Sequence, residues 1–166
     1  MEPSLLDVKD LKTHFLLPKP HPFADRKTVY AVDGVSFKVI RGTTFGIVGE
    51  SGCGKSTTAL SILRLVEPTS GTVMFNGVDL KSLKPEALRR QRRHMQMIFQ
   101  DPYSSLNPRA RAGDIVGAPI RIQKIGSREE YQERVDQLFT LVGLRPHHKS
   151  AYPHQFSGGQ RQRLCI

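Results

Sequence analysis

The chain has 166 residues, of which 38% are hydrophobic and 24% are charged, so it is long enough to fold around a core of its own. No apolar run approaches the roughly 20 residues that a membrane-spanning helix needs, and the two cysteines do not suggest a disulfide framework. The composition therefore favours a soluble protein of a reducing cytoplasm over a secreted or membrane-embedded one.

The net charge of +10 is the strongest bias in the composition. Arginines are concentrated between residues 89 and 93, and further arginines follow (Arg109, Arg111, Arg161, Arg163). Such a surplus is typical of proteins that bind nucleic acid or an anionic membrane surface. Aromatic residues are few and are not interleaved with the arginines, which disfavours a single-strand-binding surface. A solvated helix face together with phosphate-neutralising residues is the simpler interpretation.

Two strands are predicted at the start of the chain, over residues 5–15 and 29–40, because apolar and polar side chains partly alternate there. Between them, three prolines predict a loop (Pro18, Pro20, Pro22). Arg41 and Gly42 then predict a turn into the next segment.

The segment TFGIVGESGCGKS, residues 44–56, is the most informative part of the chain. Its apolar first half predicts a buried strand of a parallel sheet, and its second half fits the phosphate-binding pattern G-x-x-x-x-G-K-[ST]. A helix is predicted over 57–66, with Ala59, Leu63 and Val66 on one face. Glycines allow backbone amides to converge on a phosphate chain, and the positive end of the following helix faces the anion.

This order of strand, loop and helix predicts a binding site for a nucleoside triphosphate. Lys55 is expected to reach the β- and γ-phosphates, and the Ser56 hydroxyl is expected to ligate Mg²⁺. A glycine-rich turn with an exposed lysine is the alternative, which the flanking elements disfavour. The predicted binding residues form one continuous run (Gly49, Glu50, Ser51, Gly52, Cys53, Gly54, Lys55, Ser56, Thr57).

The middle of the chain predicts an α/β sheet with an antiparallel portion. Strands are predicted over 72–75 and 95–100, a hairpin turn at Asn76-Gly77, and a basic helix over 85–94. From residue 103 onward no strand pattern is present. A weak helix is predicted over 114–122 and a capped helix over 127–142, where Ser127 and Glu130 have the spacing of a capping box. We therefore predict a nucleotide-binding core over 1–102 and a helical subdomain over 103–166.

A second glycine motif, FSGGQRQR, occupies residues 156–163. Two adjacent glycines between Ser157 and Gln160, followed by a predicted helix, offer free amides and a hydroxyl to an anion. The SGG sequence alone also occurs in plain linkers. The motif becomes informative because it follows a phosphate loop in the same chain.

Together these segments resemble the nucleotide-binding subunits of ABC transporters, in particular the oligopeptide and dipeptide importer ATPases. The matching segments are AVDGVSF at 31–37, GIVGESGCGKST at 46–57, IFQDPYSSLNPR at 98–109 and YPHQFSGGQRQR at 152–163. The resemblance implies an α/β P-loop NTPase sheet with an antiparallel β portion and an inserted helical signature subdomain. It also implies a peripheral ATPase at the cytoplasmic face of the cell membrane, with ATP and Mg²⁺ as cofactors, that drives uptake of oligopeptides, dipeptides or similar solutes.

The resemblance assigns further roles. Gln100 would contact Mg²⁺ and the attacking water, and would be catalytic together with Lys55. Either Phe15 or Tyr30 would stack on adenine, although ordinary strand packing explains each of them equally well. The signature loop would contact the γ-phosphate that the opposite subunit of a head-to-tail dimer holds (Ser157, Gly158, Gly159, Gln160).

The partners that the resemblance implies are a second ATP-binding subunit, identical or not, and membrane permease subunits that dock on residues 101–115. An extracytoplasmic solute-binding protein would take part indirectly, and no nucleic acid is expected.

The chain departs from the family pattern in one respect. In the family a further apolar strand ends in Asp-Glu, which supports Mg²⁺ and supplies the catalytic base, and no such run is present in the 166 residues. The sequence is therefore interpreted as the N-terminal part of such a subunit, and these residues alone are predicted to hydrolyse ATP negligibly. They are also predicted to fold poorly, because apolar faces and strand edges would be left open.

Three other interpretations remain. Another P-loop enzyme, such as a small kinase or a GTPase, is disfavoured by the motif at 157–160 and by the lack of an N-K-x-D sequence. An ABC-type ATPase that acts on nucleic acid without membrane subunits is disfavoured by the segment at 98–109. A metal site at His21, His147 or His148 is disfavoured because no cysteine or carboxylate falls at ligand spacing.

Overall fold

The computed structural model describes residues 4–19, 21, 23, 25–101, 105–123 and 125–166. The chain divides into two compact units, Met1–Gln96 and Met97–Ile166, and each has its own hydrophobic core. Two prolines of the predicted first loop, Pro20 and Pro22, lie outside the described residues, as do residues 102–104 of the segment at 98–109.

The first unit is built on an antiparallel sheet of four strands, β1 (Ser4–Leu16), β2 (Thr28–Ile40), β3 (Ser70–Phe75) and β4 (Val78–Asp79). Their order in the sheet is β2-β1-β3-β4. The strands predicted over 5–15, 29–40 and 72–75 are thereby confirmed. The predicted hairpin at Asn76-Gly77 is also confirmed, because both residues have a positive φ, 51° and 76°, and join β3 to β4.

One face of this sheet is apolar and the other is polar. Leu6 and Val8 of β1 pair with Phe75 and Val73 of β3, and strand alternation places Asp7 on the opposite face. The register shifts next to Asp10, whose φ is 47°, and this irregularity brings Leu11 onto the apolar face. Six buried residues form the core of the unit (Val8, Leu11, Val73, Phe75, Leu80, Leu88).

The helices of the first unit are α1 (Lys55–Ile62) and α2 (Pro85–Gln91), and a 3₁₀ turn (Arg92–His94) follows α2. Helix α1 begins and ends earlier than the predicted range of 57–66. It ends because Arg64 adopts a left-handed φ of 51°, so the predicted face residues Leu63 and Val66 lie beyond the helix.

The strands predicted over 44–48 and 95–100 are wrong for the described structure, in which both segments are irregular. A strand needs hydrogen bonds to a neighbouring strand, and no described residue pairs with either segment. The apolar side chains of the first segment are exposed as a result, Val48 to 95%. Phe45 keeps one contact, a stacked ring pair with Phe37 of β2 at a centroid distance of 4.8 Å.

The second unit is helical among its described residues. It contains α3 (Ala112–Ile122), α4 (Arg128–Leu141) and α5 (Gly158–Cys165), with 3₁₀ turns at Pro146–Ser150 and Pro153–Gln155. The predicted capping box is confirmed, since the Glu130 amide donates to Ser127 Oγ at 3.2 Å and the Ser127 amide donates to Glu130 Oε2. The buried core joins all three helices (Leu106, Ala112, Ile120, Val135, Phe139, Leu144, Phe156, Leu164).

Candidate functional site

The predicted phosphate loop runs from Gly49 to Gly54 and leads directly into α1, which begins at Lys55. Gly52 and Gly54 have positive φ values of 83° and 93°, so both positions favour glycine. Gly54 is restricted further, because a Cβ atom there would collide with the backbone carbonyl oxygen of Ala31 in β2. Close packing against β2 therefore fixes the end of the loop.

The Lys55 side chain folds back over this loop. Its Nζ donates to the carbonyl oxygens of Gly49 at 2.8 Å and Glu50 at 2.6 Å, and lies 3.6 Å from Cys53 Sγ. The ammonium group thus lies against the first two residues of the loop. No side chain caps the N-terminus of α1, so the first amides of this helix are available to an anion.

The loop and helix are anchored by two polar residues that the sequence analysis did not single out. Thr58, which is buried, donates from both its amide and its hydroxyl to the Gly54 carbonyl, at 2.8 Å and 3.0 Å. One turn later, Ser61 Oγ lies 2.8 Å from Thr13 Oγ1 of β1. The Thr58 bonds join the end of the loop to α1, and the Ser61–Thr13 bond fixes α1 against the sheet.

Two arginines bind at the other end of α1, and no sequence motif indicated their role. Arg64 Nη1 donates to the carbonyls of Leu80 at 2.7 Å and Leu83 at 2.9 Å. Arg92 donates in turn to the carbonyls of Leu63 at 3.1 Å and Arg64 at 2.7 Å. The partners are distant in sequence, so only a signal such as covariation would have indicated them.

Both aromatic candidates for adenine stacking are in the first unit, on adjacent strands. Tyr30 is opposite His14 in the β1–β2 pairing, and their rings meet edge to face at 4.6 Å. Phe15 is the next residue of β1, so it lies on the face opposite His14 and shared with Thr13. Phe15 is therefore on the α1 side of the sheet, whereas Tyr30 is on the other side.

A small charged cluster surrounds His14 on the face away from α1. Its Nε2 lies 3.1 Å from Asp33 Oδ1, and Lys12 Nζ lies 3.5 Å from the same oxygen. The hydrogen bond from His14 and the nearby Lys12 ammonium hold the pKa of the Asp33 carboxyl below its usual value.

The predicted signature residues lie at the start of α5 in the second unit. Ser157 is the N-cap of α5 and forms a capping box with Gln160, whose amide donates to Ser157 Oγ at 3.4 Å and whose Oε1 accepts from the Ser157 amide at 2.9 Å. Gly158 and Gly159 are exposed, and an added Cβ would meet nothing within 4 Å at either one. The predicted helix after the motif is confirmed. The surface of its first turn is free of neighbouring atoms at the two glycines.

The last predicted site residue, Gln100, is exposed and belongs to no helix or strand in the second unit. The next residue, Asp101, accepts a hydrogen bond at its carbonyl from Ser105 Oγ at 2.7 Å. The structure thus brings the phosphate-loop residues together within the first unit, and the signature residues together within the second.

The adjacent histidines serve as packing residues. The rings of His147 and His148 meet edge to face at 4.3 Å, and His148 also contacts Phe156 at 5.6 Å. Within the described ranges, no group of three or more histidine, cysteine, aspartate or glutamate residues is arranged to hold a metal ion. No helix in the same ranges is long and apolar enough to cross a membrane.

The fold and the phosphate loop define an ATP-binding cassette. The chain belongs to the ABC transporter family, whose model matches residues 32–166. The predicted family and fold class are confirmed by this match. The fold is also similar to that of a solved dimeric ATP-binding cassette in a post-hydrolysis state bound to ADP and Pi. The TM-score is 0.79 and the sequence identity is 27%, and the match covers 96% of this chain and 66% of the other.

Curated transport ATP-binding proteins are similar in sequence to nearly the whole chain. The oligopeptide transport ATP-binding protein OppF of Bacillus subtilis is 49% identical over 100% of this chain and 53% of its own length. The di/tripeptide transport ATP-binding protein DppF of Pseudomonas aeruginosa is 45% identical over 98% of this chain and 50% of its own length. The chain thus spans about half the length of the curated relatives that it matches.

Proposed function

We propose that this chain forms the nucleotide-binding part of an ABC importer subunit that couples ATP binding and hydrolysis to uptake of oligopeptides, dipeptides or similar small solutes. The observation that carries the proposal is the predicted phosphate loop, which holds the Lys55 ammonium group on two of its carbonyls and leads into the uncapped N-terminus of α1. The similarity to OppF and DppF supports peptides as the cargo class.

The loop residues fit a Mg²⁺-bound nucleoside triphosphate. The backbone between Gly49 and Thr57 would surround the phosphates, since Gly54 cannot carry a side chain there and α1 directs its positive end at the loop. Lys55 would exchange its two carbonyl partners for the β- and γ-phosphates. The exposed Ser56 hydroxyl would hold Mg²⁺, which neutralises phosphate charge when bound.

Of the two aromatic candidates, we propose Phe15 as the residue that stacks on adenine. It shares a sheet face with Thr13, which is hydrogen-bonded to α1, and its ring is 40% exposed and so accessible to a base. Tyr30 lies on the other face against His14. Phe15→Ala should therefore weaken ATP binding and leave tripolyphosphate binding unchanged, whereas Tyr30→Ala should affect neither ligand.

The signature residues Ser157 to Gln160 are proposed to contact the γ-phosphate held by a second ATP-binding subunit in a head-to-tail dimer. Their capping box keeps the Ser157 hydroxyl at the start of α5, and the open glycines allow another surface to approach. The permease subunits of the same transporter would dock on residues 101–115, which places the protein at the cytoplasmic face of the membrane.

Residues 1–166 by themselves are proposed to bind ATP with negligible turnover. They contain no apolar run that ends in Asp-Glu, and positioning of Mg²⁺ and water is most of the catalysis of phosphoryl transfer.

The test is a titration of the 166-residue chain with fluorescent Mg-ATP, with phosphate release followed in the same samples. Lys55→Ala should abolish binding, while Lys27→Ala, an exposed lysine outside the loop, serves as the matched control and should bind normally. Equal binding by the parent and the Lys55→Ala variant would overturn the proposed site. Steady turnover by the parent would overturn the proposed lack of hydrolysis.

A further inference from the structure

Helix α2 and the 3₁₀ turn that follows it have an inner side and an outer side. Leu88 is buried in the core of the first unit, and the Arg92 side chain reaches the carbonyls at the end of α1. Arg89, Arg90 and Arg93 are exposed. We call these three arginines the basic surface.

The segment that contains the basic surface has a large surplus of basic residues. Residues 81–94 contain one acidic residue, Glu86. The same segment contains six lysines and arginines (Lys81, Lys84, Arg89, Arg90, Arg92, Arg93). Neither Arg89 nor Arg90 has an acidic side chain within ion-pair distance among the described residues. The segment contains no Phe, Tyr or Trp, and His94 is the one ring on which a base could stack, so it is a poor platform for single-stranded nucleic acid.

The orientation of the basic surface is fixed by the inner side of the same segment. Arg92 binds the carbonyls of Leu63 and Arg64, and Arg64 binds those of Leu80 and Leu83. The exposed arginines therefore belong to an ordered surface attached to α1.

We propose that the basic surface binds the anionic headgroups of a phospholipid bilayer. Guanidinium groups pair well with lipid phosphates, and each arginine near an anionic membrane contributes about fivefold to binding. The choice of a membrane over a nucleic acid rests on the proposed function, which assigns the protein to a membrane, and on the absence of Phe, Tyr and Trp from residues 81–94. The interaction would help to hold the subunit beside its permease.

The experiment is a flotation assay of the 166-residue chain with two kinds of vesicle, pure phosphatidylcholine and phosphatidylcholine with about a third phosphatidylglycerol. We expect binding to the anionic vesicles alone, weakened by added salt. The double variant R89Q/R90Q should lower the partition coefficient on the order of 25-fold. Glu86→Gln should raise it.

The matched control is R128Q/R134Q, which removes the same charge from two exposed arginines of α4. It should change binding by less than about threefold, because no basic surface is altered. Equal losses in the two double variants would overturn the proposal, since net charge alone would then explain binding. So would equal binding to both kinds of vesicle, or binding to duplex RNA with none to vesicles. Mg-ATP titration of each variant tests the phosphate loop independently of the vesicles. Failure of the proposed nucleotide-binding function can therefore be distinguished from failure of lipid binding by the basic surface.

Discussion

Thr13 Oγ1 and Ser61 Oγ lie 2.8 Å apart, and the two residues are 1% and 0% exposed. Their hydrogen bond joins β1 to the helix that begins at the phosphate loop. Because neither hydroxyl has access to water, each satisfies the other, and the pair fixes the distance between strand and helix.

The losses of the two single substitutions of this pair should add up to more than the loss of the double substitution. Thr13→Val or Ser61→Ala leaves one buried hydroxyl without a partner and should lower the free energy of unfolding by about 1–3 kcal/mol. The double variant removes both polar groups and should lose less than the sum of the two. Urea unfolding of all four proteins measures the coupling, and strictly additive losses would contradict the predicted bond.

Gly54→Ala should impair the phosphate loop more than Gly52→Ala. Both residues have a positive φ, but only at Gly54 would the added methyl group collide with a backbone atom, the Ala31 carbonyl oxygen. We expect the free energy of unfolding to fall by about 1 kcal/mol in both variants, because alanine is strained in the left-handed backbone conformation. Gly54→Ala should lose Mg-ATP binding as well. Thermal unfolding and nucleotide titration separate the two effects, and normal ATP affinity of Gly54→Ala would refute this account.

Arg92→Ala should destabilise the first unit. The guanidinium group donates to two carbonyls at the end of α1, and its loss should lower the free energy of unfolding by about 1–3 kcal/mol. Arg90→Ala is the matched control, since this neighbouring arginine is exposed and should change stability by at most about 0.5 kcal/mol. Similar losses in the two variants would indicate that the contacts of Arg92 are not stabilising.

The pKa of Asp33 should depend on His14. The hydrogen bond from His14 holds this pKa below its usual value, so the ionised carboxylate stabilises the folded state above the unfolded pKa. That stability is lost as the pH falls through the folded pKa. In a His14→Ala variant, NMR titration of the Asp33 carboxyl should show a pKa closer to the usual value. An unchanged pKa would argue against the hydrogen bond as its cause.

The parts of the structure that local sequence specifies were predicted well. The capping box of Ser127 and Glu130, the Asn76-Gly77 turn and the helix after the second glycine motif depend on residues a few positions apart. Hydrogen bonds within one turn or hairpin decide such features, so a sequence pattern predicts them. The proposed phosphate loop could be predicted for the same reason, because its glycines and lysine lie within a single short segment.

Other features were decided by contacts between distant parts of the chain. The apolar run at 44–48 is irregular because a strand needs a hydrogen-bonded neighbour, which local composition cannot supply. The assignment of Phe15 and Tyr30 to opposite sheet faces depends on the β1–β2 register, and the Thr13–Ser61 and Arg92–Arg64 bonds join residues far apart in sequence. The sequence by itself thus determined the family and the segment that we propose to bind phosphate. Only tertiary packing decided what anchors that segment and which side chains face it, because burial and pairing depend on the whole fold.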